Sequence, residues 1–431
     1  MTPQPPGSDA RHTSERGTLL ALGFAALLTL PGLGVRVSGT ELPDVVAPIL
    51  FGIAILGAAF LLAWAAEVLQ LDVSQGLALT VLALIAVLPE YAVDFTFAWK
   101  AGENPDKYAP LALANMTGSN RLLIGIGWSM VVLVAAWRMT RAARRRGYTG
   151  PIDTDVNLER PHAIEIVFLS IATIYSLTLP FKRTLTLVDA AILISIFVVF
   201  VIRIGRAPAE TPHLVGPARL IATLPTSQRR AVVGVLLAYA AAVIFACAEP
   251  FAESLVHLGE QAGVDTFLLV QWVAPLASEA PELIVAGMFA WRLNTSAGFG
   301  TLLSSKVNQW TLLVGSLPIV FALSAGVLHG LPLDSLQREE LFLTAAQSVF
   351  AVAVLVSRSI SVREALALFF LFIGQFILGG VLPEGARELE RIAVGIVYLV
   401  LAAGILVQQR QYLRPLVRDA LVVPVGELFR E

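Results

Sequence analysis

The stretch Gln271–Leu317, QWVAPLASEAPELIVAGMFAWRLNTSAGFGTLLSSKVNQWTLLVGSL, decides the fold of this chain. It holds two apolar segments that carry ionisable and amide side chains, Glu279 and Glu282 in the first, Lys306 and Gln309 in the second. Ionisable residues inside segments long enough to span a bilayer are costly and rare, and they usually mark a functional site. The stretch is therefore predicted to form the centre of a membrane protein.

An earlier stretch, Val81–Leu133, repeats this plan. Its VLPEYAVDFTFAWK sets Pro89-Glu90 against Pro281-Glu282 and Trp99 against Trp291, at one constant offset of 192 residues. A second polar segment, ANMTGSNR over Ala114–Arg121, then follows in the same order. Duplicated polar segments, broken by proline and placed inside helices of hydrocarbon length, are typical of secondary transporters.

Composition sets the fold class. Of the 431 residues 56% are hydrophobic and only 14% are charged, and the mean hydropathy is +0.76. A soluble domain carries about 25% charged residues, and apolar runs of about 20 residues recur along this whole chain. The prediction is an all-α polytopic membrane protein. The single Cys247 excludes a disulfide framework, and the five histidines lie in tails, loops or near helix ends, which disfavours a zinc enzyme.

Twelve membrane spans are predicted from the apolar runs. Their expected ranges are Leu19–Val35, Val45–Leu69, Gly76–Trp99, Pro110–Trp137, Ala163–Leu179, Leu185–Ile204, Ala231–His257, Phe267–Trp291, Phe299–Leu328, Leu341–Val356, Ala365–Leu382 and Ile392–Val407. The first run could be read as a signal peptide, but no small-residue cleavage site follows it, so an uncleaved helix is expected.

Basic residues predict the orientation. Arginines cluster after the fourth, sixth, tenth and twelfth spans, all on one side if the N-terminus is cytoplasmic: Arg138, Arg141, Arg144, Arg145, Arg146, Arg203, Arg206, Arg219, Arg229, Arg230, Arg358, Arg363, Arg410, Arg414 and Arg418. A multi-pass protein of the inner membrane with both termini in the cytoplasm is therefore expected.

Five spans per copy make the two copies inverted, because an odd number of crossings turns the second copy upside down. The expected organisation is an N-terminal tail and extra helix over 1–40, a first repeat over 41–204 and a cytoplasmic linker over 205–230. A second repeat over 231–384 and a last helix with a cytoplasmic tail over 385–431 complete the chain.

The carboxylates of the repeats point to cation binding. Glu90 and Asp94 are spaced i, i+4, and Glu279 and Glu282 are spaced i, i+3, so each pair shares one helix face. Ser278 lies four residues before Glu282. Pro89 and Pro281 lack the N–H that would bond the carbonyl four residues earlier, which leaves free oxygens near each glutamate. Hard cations prefer such an all-oxygen environment.

The second polar segment of each copy is expected to supply the other wall of the site. The candidate ligands are Asn115, Ser119 and Asn120 in one copy and Ser305 and Gln309 in the other. Bonding between helices is an equally good reading for any single one of these side chains. For Glu90 and Glu282, the alternative is a structural ion pair with Lys306 or Arg121.

LPEYAV with NMTGSN, and ASEAPELIVAG with LLSSKVNQWTLLVG, resemble the two alpha repeats of the sodium/calcium exchanger superfamily of cation antiporters. The resemblance implies alternating access around a buried cation. It places the family's central glutamates, the metal ligands of the transported ion, on Glu90 and Glu282. Its other ligand positions fall on Ser119, Ser305 and Ser278.

The chain departs from the family pattern at several ligand positions. Ile85-Ala86-Val87 stands where the family has Gly-Thr-Ser, Glu279 replaces a serine, and Lys306 replaces an asparagine. The later polar position is Leu123 in one copy and Gln309 in the other. Lys306 and Arg121 are expected to modulate charge, since an ammonium fixed beside carboxylates competes with a transported cation.

The function expected from these features is an antiporter that exchanges Na⁺ or Ca²⁺ for H⁺, with Na⁺ as the alternative counter-ion. No cofactor beyond the transported ions is expected, and the partners are the lipid bilayer and the ions, with no nucleic acid. The oligomeric state stays open.

Two other classes fit less well. An intramembrane hydrolase would use Ser119 or Ser305 as nucleophile with Lys306 as base, but the spacing of a nucleophile elbow and an oxyanion loop are not visible in the sequence. An ATP-driven pump would need a phosphate-binding glycine loop, and none is visible.

Overall fold

The structure, a computed structural model, describes residues 8–40, 42–72, 87–208, 214, 216–263 and 265–429. This part of the chain holds eleven helices that are long and apolar enough to cross a membrane. The predicted span Gly76–Trp99 begins outside the described residues, and its second half is seen as a helix over Leu88–Glu103. The chain is thus an all-helical polytopic membrane protein, as predicted.

Fifteen helices are numbered here along the described residues. They are α1 Ser8–Ser38, α2 Val46–Leu69, α3 Leu88–Glu103, α4 Pro105–Leu122 continued as Ser129–Arg145, α5 Ala163–Ser176, α6 Leu187–Ile204, α7 Pro217–Ala222, α8 Thr226–Ala262, α9 Thr266–Trp291, α10 Thr295–Asn308 continued as Val314–Ala325, α11 Ser335–Val354, α12 Val362–Val381, α13 Glu384–Gln408, α14 Arg410–Leu421 and α15 Val425–Leu428. Four two-residue strands lie in the loops: β1 Val156–Asn157, β2 Thr184–Leu185, β3 Leu331–Pro332 and β4 Ser359–Ile360.

Several predicted ends were wrong because polar residues extend the helices beyond the apolar runs. Helix α11 begins at Ser335, six residues before the predicted start, because Asp334 and Gln337 form a capping box in which each side chain accepts a hydrogen bond from the other residue's backbone N–H. Helix α8 begins at Thr226, so the predicted linker over 205–230 ends in helix and also contains α7.

The four short strands pair across the two halves of the chain. β1, which precedes α5, is antiparallel to β4, which precedes α12, and β2, which precedes α6, is antiparallel to β3, which precedes α11. If the two halves of the chain are exchanged, β1 takes the place of β3 and β4 takes the place of β2, so one pairing becomes the other. Two inverted copies related by a pseudo-two-fold axis produce this reciprocal pattern.

The same relation appears in the helix starts. Thr186 with Asp189 caps α6, and Ser361 with Glu364 caps α12, in capping boxes that stand 175 residues apart. The matched cap and strand place α6 and α12 at equivalent points of the two copies. The similarity of the copies therefore extends beyond the polar motifs.

Close helix packing centres on the motif-bearing helices. Helix α4 packs on α9, α3 packs on α10, and the long helices α2 and α8 lie against each other with α1 alongside. A Cβ atom at Gly118 of α4 would lie 1.8 Å from the carbonyl oxygen of Gln271 in α9. Only glycine allows this approach of two backbones, which brings the two polar motifs together.

The C-terminal segment folds back onto the face of the protein where α4 ends and α5 begins, named here the arginine-rich face. Arg160 donates two hydrogen bonds of 3.0 Å to the carboxylate of Asp419 in α14. The apolar side chains of Leu416, Val425 and Leu428 are buried. The predicted tail is therefore partly helical and packed.

Candidate functional site

Glu90 and Asp94 lie at the start of α3. The described helix begins at Leu88, so Pro89 stands in its first turn, where the missing N–H removes no hydrogen bond from the described helix. The carbonyl of Ile85, which Pro89 was predicted to leave free, lies outside the described residues. The expectation of a proline inside a helix is met at Pro281, since α9 continues through this residue. Glu90 lies in the first turn of α3, which is a favourable position for a carboxylate.

The amide of Gln309 joins the two copies at their carboxylates. Its nitrogen donates to Glu279 Oε1 at 2.9 Å and to Glu90 Oε2 at 3.3 Å. All three side chains are almost completely buried. Two carboxylates from different copies therefore accept from one amide group, and Glu90 lies beside Glu279, a neighbour that the duplication did not predict.

A second carboxylate–amide pair flanks this contact. Asn115 Nδ2 donates to Asp94 Oδ1 at 2.7 Å, and the Tyr91 hydroxyl donates to Asn308 Oδ1 at 2.8 Å. Asp94 and Asn115 are fully buried. Asp94 and Asn115 were predicted for the site, whereas Tyr91 and Asn308 were not. The feature of the sequence that could have identified Tyr91 is its position directly after Pro89-Glu90.

The centre of the protein is rich in oxygen atoms that lack a hydrogen-bond partner. These buried atoms are Glu90 Oε1, Asp94 Oδ2, Asn115 Oδ1, Ser119 Oγ, Glu279 Oε2, Glu282 Oε2, Ser305 Oγ and Gln309 Oε1. Buried polar atoms are nearly always paired in proteins, so each exception requires an explanation. These eight atoms belong to residues predicted to bind the cation, and oxygen is the ligand type that hard cations prefer. Buried oxygens without a partner also occur elsewhere in the described residues, at Thr173, Gln347 and Glu390 for example.

Helices α4 and α10 each contain a π-helical turn, and the two turns lie at equivalent points of the two copies. A π-helical turn over Leu123–Trp128 interrupts α4, and another over Gln309–Leu313 interrupts α10. Their first residues are 186 residues apart, the offset that also separates Ser119 from Ser305. Such turns occur often at functional sites, because the extra residue re-aims the side chains around it. Gln309, the first residue of its turn, is the residue that reaches both carboxylates.

Lys306 is completely buried between the copies. Its ammonium group donates to the backbone oxygen of Asn120 at 2.5 Å and to the side-chain oxygen of Asn120 at 2.6 Å, and it lies 5.7 Å from the centre of the Trp310 ring. Among the described residues, neither Lys306 nor Arg121 forms an ion pair with Glu90 or Glu282. Both oxygens of Asn120 are occupied by a fixed cation.

Arg121 lies outside this centre, in a buried network that the sequence analysis missed. It donates to Glu340 of α11 at 2.9 Å and also to Gln375 of α12. Gln271 donates to the same Glu340 oxygen at 2.8 Å. Glu340 was overlooked because it precedes the apolar run by which α11 was recognised. The helix start at Ser335 places it inside the protein.

Ser278 does not reach the other site residues. Its hydroxyl bonds to carbonyls of its own helix, Ala274 at 3.3 Å and Pro275 at 3.4 Å. Glu282, one turn further on, borders a cavity of about 330 Å³ that we name the vestibule. The vestibule lies between the C-terminal ends of α2, α6 and α9, on the arginine-rich face. Its polar lining includes Glu67, Gln70, Glu165, Glu282, Ser304 and Ser305.

Beyond the neighbouring Glu90 and Glu279, the carboxylates do not gather into a closed cage. In the described part of the chain, no group of three or more His, Cys, Asp or Glu side chains is arranged to hold a metal ion. The oxygens instead come from pairs that combine a carboxylate with an amide or a hydroxyl. This arrangement is suited to an ion that binds and leaves, with amide and hydroxyl oxygens completing its shell.

Comparisons with known proteins agree with this architecture. A family model described as sodium/calcium exchanger protein matches residues 44–205 and 232–378. A crystal structure of the H⁺/Ca²⁺ exchanger CAX is 41% identical, with a TM-score of 0.84, over 93% of this chain and 98% of that one.

More distant structures share the fold alone. The Ca²⁺/H⁺ antiporter protein YfkE is 14% identical, with a TM-score of 0.55, over 88% of this chain and 99% of that one. The sodium-calcium exchanger NCX_Mj is 15% identical, with a TM-score of 0.51, over 77% and 97% of the two chains. A comparison with curated protein sequences finds no match.

Proposed function

The chain belongs to the sodium/calcium exchanger protein family, and we propose that it exchanges Ca²⁺ for protons across a membrane by alternating access. The observation that carries this proposal is the contact in which Glu90 and Glu279 both accept a hydrogen bond from the amide nitrogen of Gln309. The exchange of Ca²⁺ by the 41% identical CAX protein supports the choice of ion.

A neutral amide does not compensate the charge of two carboxylates, so something else must neutralise them. Two buried carboxylates side by side cannot both stay ionised, because each disfavours the charge of the other and burial disfavours both. Either a cation binds between them or one of them takes up a proton. Occupation by Ca²⁺ and occupation by H⁺ are then alternatives at one place, which is the requirement for coupled exchange.

Lys306 favours protons over Na⁺ as the counter-ion. Its ammonium group already occupies the two Asn120 oxygens, which would be available to a sodium ion if residue 306 were uncharged. A fixed positive charge also opposes the binding of several cations in one small volume. The proposed site therefore takes one divalent ion, bound by Glu90 together with Glu279 and Glu282.

The two inverted copies provide the alternating access. The vestibule reaches Glu282 from the arginine-rich face, and an inverted repeat can adopt the mirror arrangement, in which the opposite face is open. The arginine clusters support a cytoplasmic location for this face and for both termini, in the inner membrane.

Flux into proteoliposomes tests the proposal. We expect a pH gradient imposed across the bilayer to drive uptake of Ca²⁺, and Glu282→Gln to abolish it while the protein still inserts and elutes as a single species. The substitution keeps the shape of the side chain and removes its charge. Glu159→Gln, at an exposed position, is the matched control and should transport normally.

The same assay decides between ions. Uptake of Na⁺ without uptake of Ca²⁺ would make the protein a sodium/proton antiporter. Absence of any cation flux coupled to the gradient, or full activity of Glu282→Gln, would contradict the proposed function.

A further inference from the structure

Helix α14 follows directly on a membrane span but is too short to cross a bilayer itself. It covers Arg410–Leu421, which gives a length of about 18 Å at 1.5 Å per residue, whereas the hydrocarbon core of a bilayer is about 30 Å thick. The preceding span, Gly385–Gln408 of α13, is long and apolar enough to cross the membrane. Helix α14 therefore begins at the level where α13 leaves the hydrocarbon.

One side of α14 is docked on the ends of other helices. The Asp419 carboxylate accepts hydrogen bonds from Arg160, which precedes α5, and lies 3.7 Å from Arg358, which lies between α11 and α12. Arg203, in the last turn of α6, donates to the backbone oxygen of Ala420 at 2.9 Å. Because these partners come from the ends of several helices at one face, α14 lies along the arginine-rich face and does not project from it.

A second side of α14 exposes a stripe of apolar side chains, named here the apolar stripe. Leu413, Val417 and Leu421 are spaced i, i+4 and i+8, so they lie in one row along the helix. Their exposed fractions are 36%, 44% and 46%, and Val422, the next residue, is 72% exposed. Large apolar side chains that are exposed side by side mark a surface that contacts a partner or a membrane.

Three arginines form a second row beside the apolar stripe. Arg410, Arg414 and Arg418 repeat at the same spacing and are exposed. The last two each lie three residues before a member of the apolar stripe, so the two rows are neighbours on the helix surface. The single acidic residue of the helix, Asp419, is buried and binds Arg160. The exposed charge of α14 is therefore entirely positive.

From these observations we propose that α14 is an interfacial helix that binds anionic phospholipids in the leaflet on the arginine-rich face. A helix with one apolar and one basic side lies in the plane of the membrane interface, with its apolar side chains at the boundary between headgroups and acyl chains. The apolar stripe enters this boundary. The arginines bind lipid phosphates, for which the guanidinium group is a planar bidentate donor. Lipid binding by α14 does not depend on the ion that the protein exchanges.

The depth of the apolar stripe in the bilayer tests the proposal. Val417→Cys and, as the matched control, Gln411→Cys are made in a Cys247→Ala background, because Cys247 is the only native cysteine. Gln411 is exposed on α14 outside the apolar stripe. The full-length proteins carry a nitroxide at the new cysteine and are reconstituted in nanodiscs of equal parts phosphatidylcholine and phosphatidylglycerol. We expect molecular oxygen to relax the label at 417 more than a water-soluble nickel complex does, and the reverse for the label at 411.

Two results of this experiment would overturn the proposal. Equal access of the nickel complex to both labels would show that the apolar stripe faces water. Strong dipolar coupling between the 417 labels of two copies in one bilayer would show that a second copy of the chain covers the stripe.

A polarity-sensitive fluorophore on the Val417→Cys protein measures the preference for anionic lipid at this helix alone. The protein in neutral detergent is titrated with phosphatidylglycerol or with phosphatidylcholine, and we expect tighter binding of phosphatidylglycerol. A basic residue near an anionic surface changes affinity roughly fivefold, so Arg414→Gln/Arg418→Gln should weaken the binding of phosphatidylglycerol by about this factor for each arginine.

Arg145→Gln/Arg146→Gln is the matched control, since both arginines are exposed at the end of α4 on the same face. This pair should leave the titration unchanged. Equal affinity of the unsubstituted protein for the two lipids, or equal weakening by both pairs of substitutions, would contradict the binding of anionic lipid by α14.

Discussion

The ammonium group of Lys306 occupies a position that a transported cation could otherwise take. A buried charge is costly unless it is both paired and hydrogen-bonded, and the described contacts of the Lys306 ammonium group are hydrogen bonds to the two oxygens of Asn120. Since both acceptors come from the other copy, the lysine also joins the two repeats. One side chain therefore links the halves of the protein through the two oxygens of Asn120.

Lys306→Asn should change the ions that the protein accepts. The substitution frees the two Asn120 oxygens and adds an amide oxygen, so we expect Na⁺ to bind and a Na⁺ gradient to drive uptake of Ca²⁺. Proteoliposomes with Na⁺ or pH gradients of equal size provide the measurement. Lys306→Met is the matched control, because it removes the charge without supplying an oxygen. Unchanged selectivity in Lys306→Asn would mean that the lysine is structural.

At the scale of the helix, the contact between α4 and α9 brings the two motifs together. Gly118→Ala would place a methyl group against the Gln271 carbonyl, and overpacking of this kind costs about 1–3 kcal/mol. We expect a lowered unfolding temperature in detergent and a loss of transport, because the helices must separate. Gly374→Ala in α12 is the matched control, since nothing lies within 4 Å of its added Cβ. Equal stability of the two variants would contradict the close contact.

The sequence was sufficient to predict the helices and their inverted duplication, because apolar length and repeated motifs are local signals. It could not predict where α8 and α11 begin, since their first turns are polar and depend on caps rather than on hydropathy. It also could not predict that Arg121 would bind Glu340, which is 219 residues away. Motif spacing identifies residues on one helix face, whereas the partner across a helix contact depends on packing.

The Arg121–Glu340 pair should be important for stability. Both side chains are almost fully buried, and removal of one partner from a buried ion pair costs about 3–5 kcal/mol. Arg391 at 3.9 Å is then the remaining cation beside Glu340. We expect Arg121→Met to lower the free energy of unfolding by this amount. The Arg121→Met/Glu340→Met double variant should lose less than the sum of the single changes. Thermal unfolding of the purified proteins measures the coupling, and additive losses would show that the two charges do not interact.

Taken as a whole, the molecule is open on one face and held together on the other. The vestibule opens on the arginine-rich face. On the opposite face, Lys100 of α3 binds Glu253 of α8 at 2.6 Å, and Lys107 of α4 binds Glu260 of α8 at 2.8 Å. These ion pairs connect α8 to the two helices that carry the first motif. Movement of α8 away from them would have to break both pairs.

Removal of these two lysines should therefore shift the protein towards the arrangement that is open on the opposite face. Partly exposed ion pairs contribute about 0.2–1 kcal/mol each, so the loss of two should change the population ratio by a factor between roughly 2 and 30. The reporter is Ser304→Cys in a Cys247→Ala background, because Ser304 borders the vestibule and Cys247 is the only native cysteine. A membrane-impermeant maleimide applied to the arginine-rich face should label this cysteine more slowly in the Lys100→Met/Lys107→Met protein.

Lys182→Met is the control, because Lys182 pairs with Asp189 of α6 and does not bind α8. An unchanged labelling rate in the double variant, or an equal slowing in the control, would show that the ion pairs do not hold α8 in place.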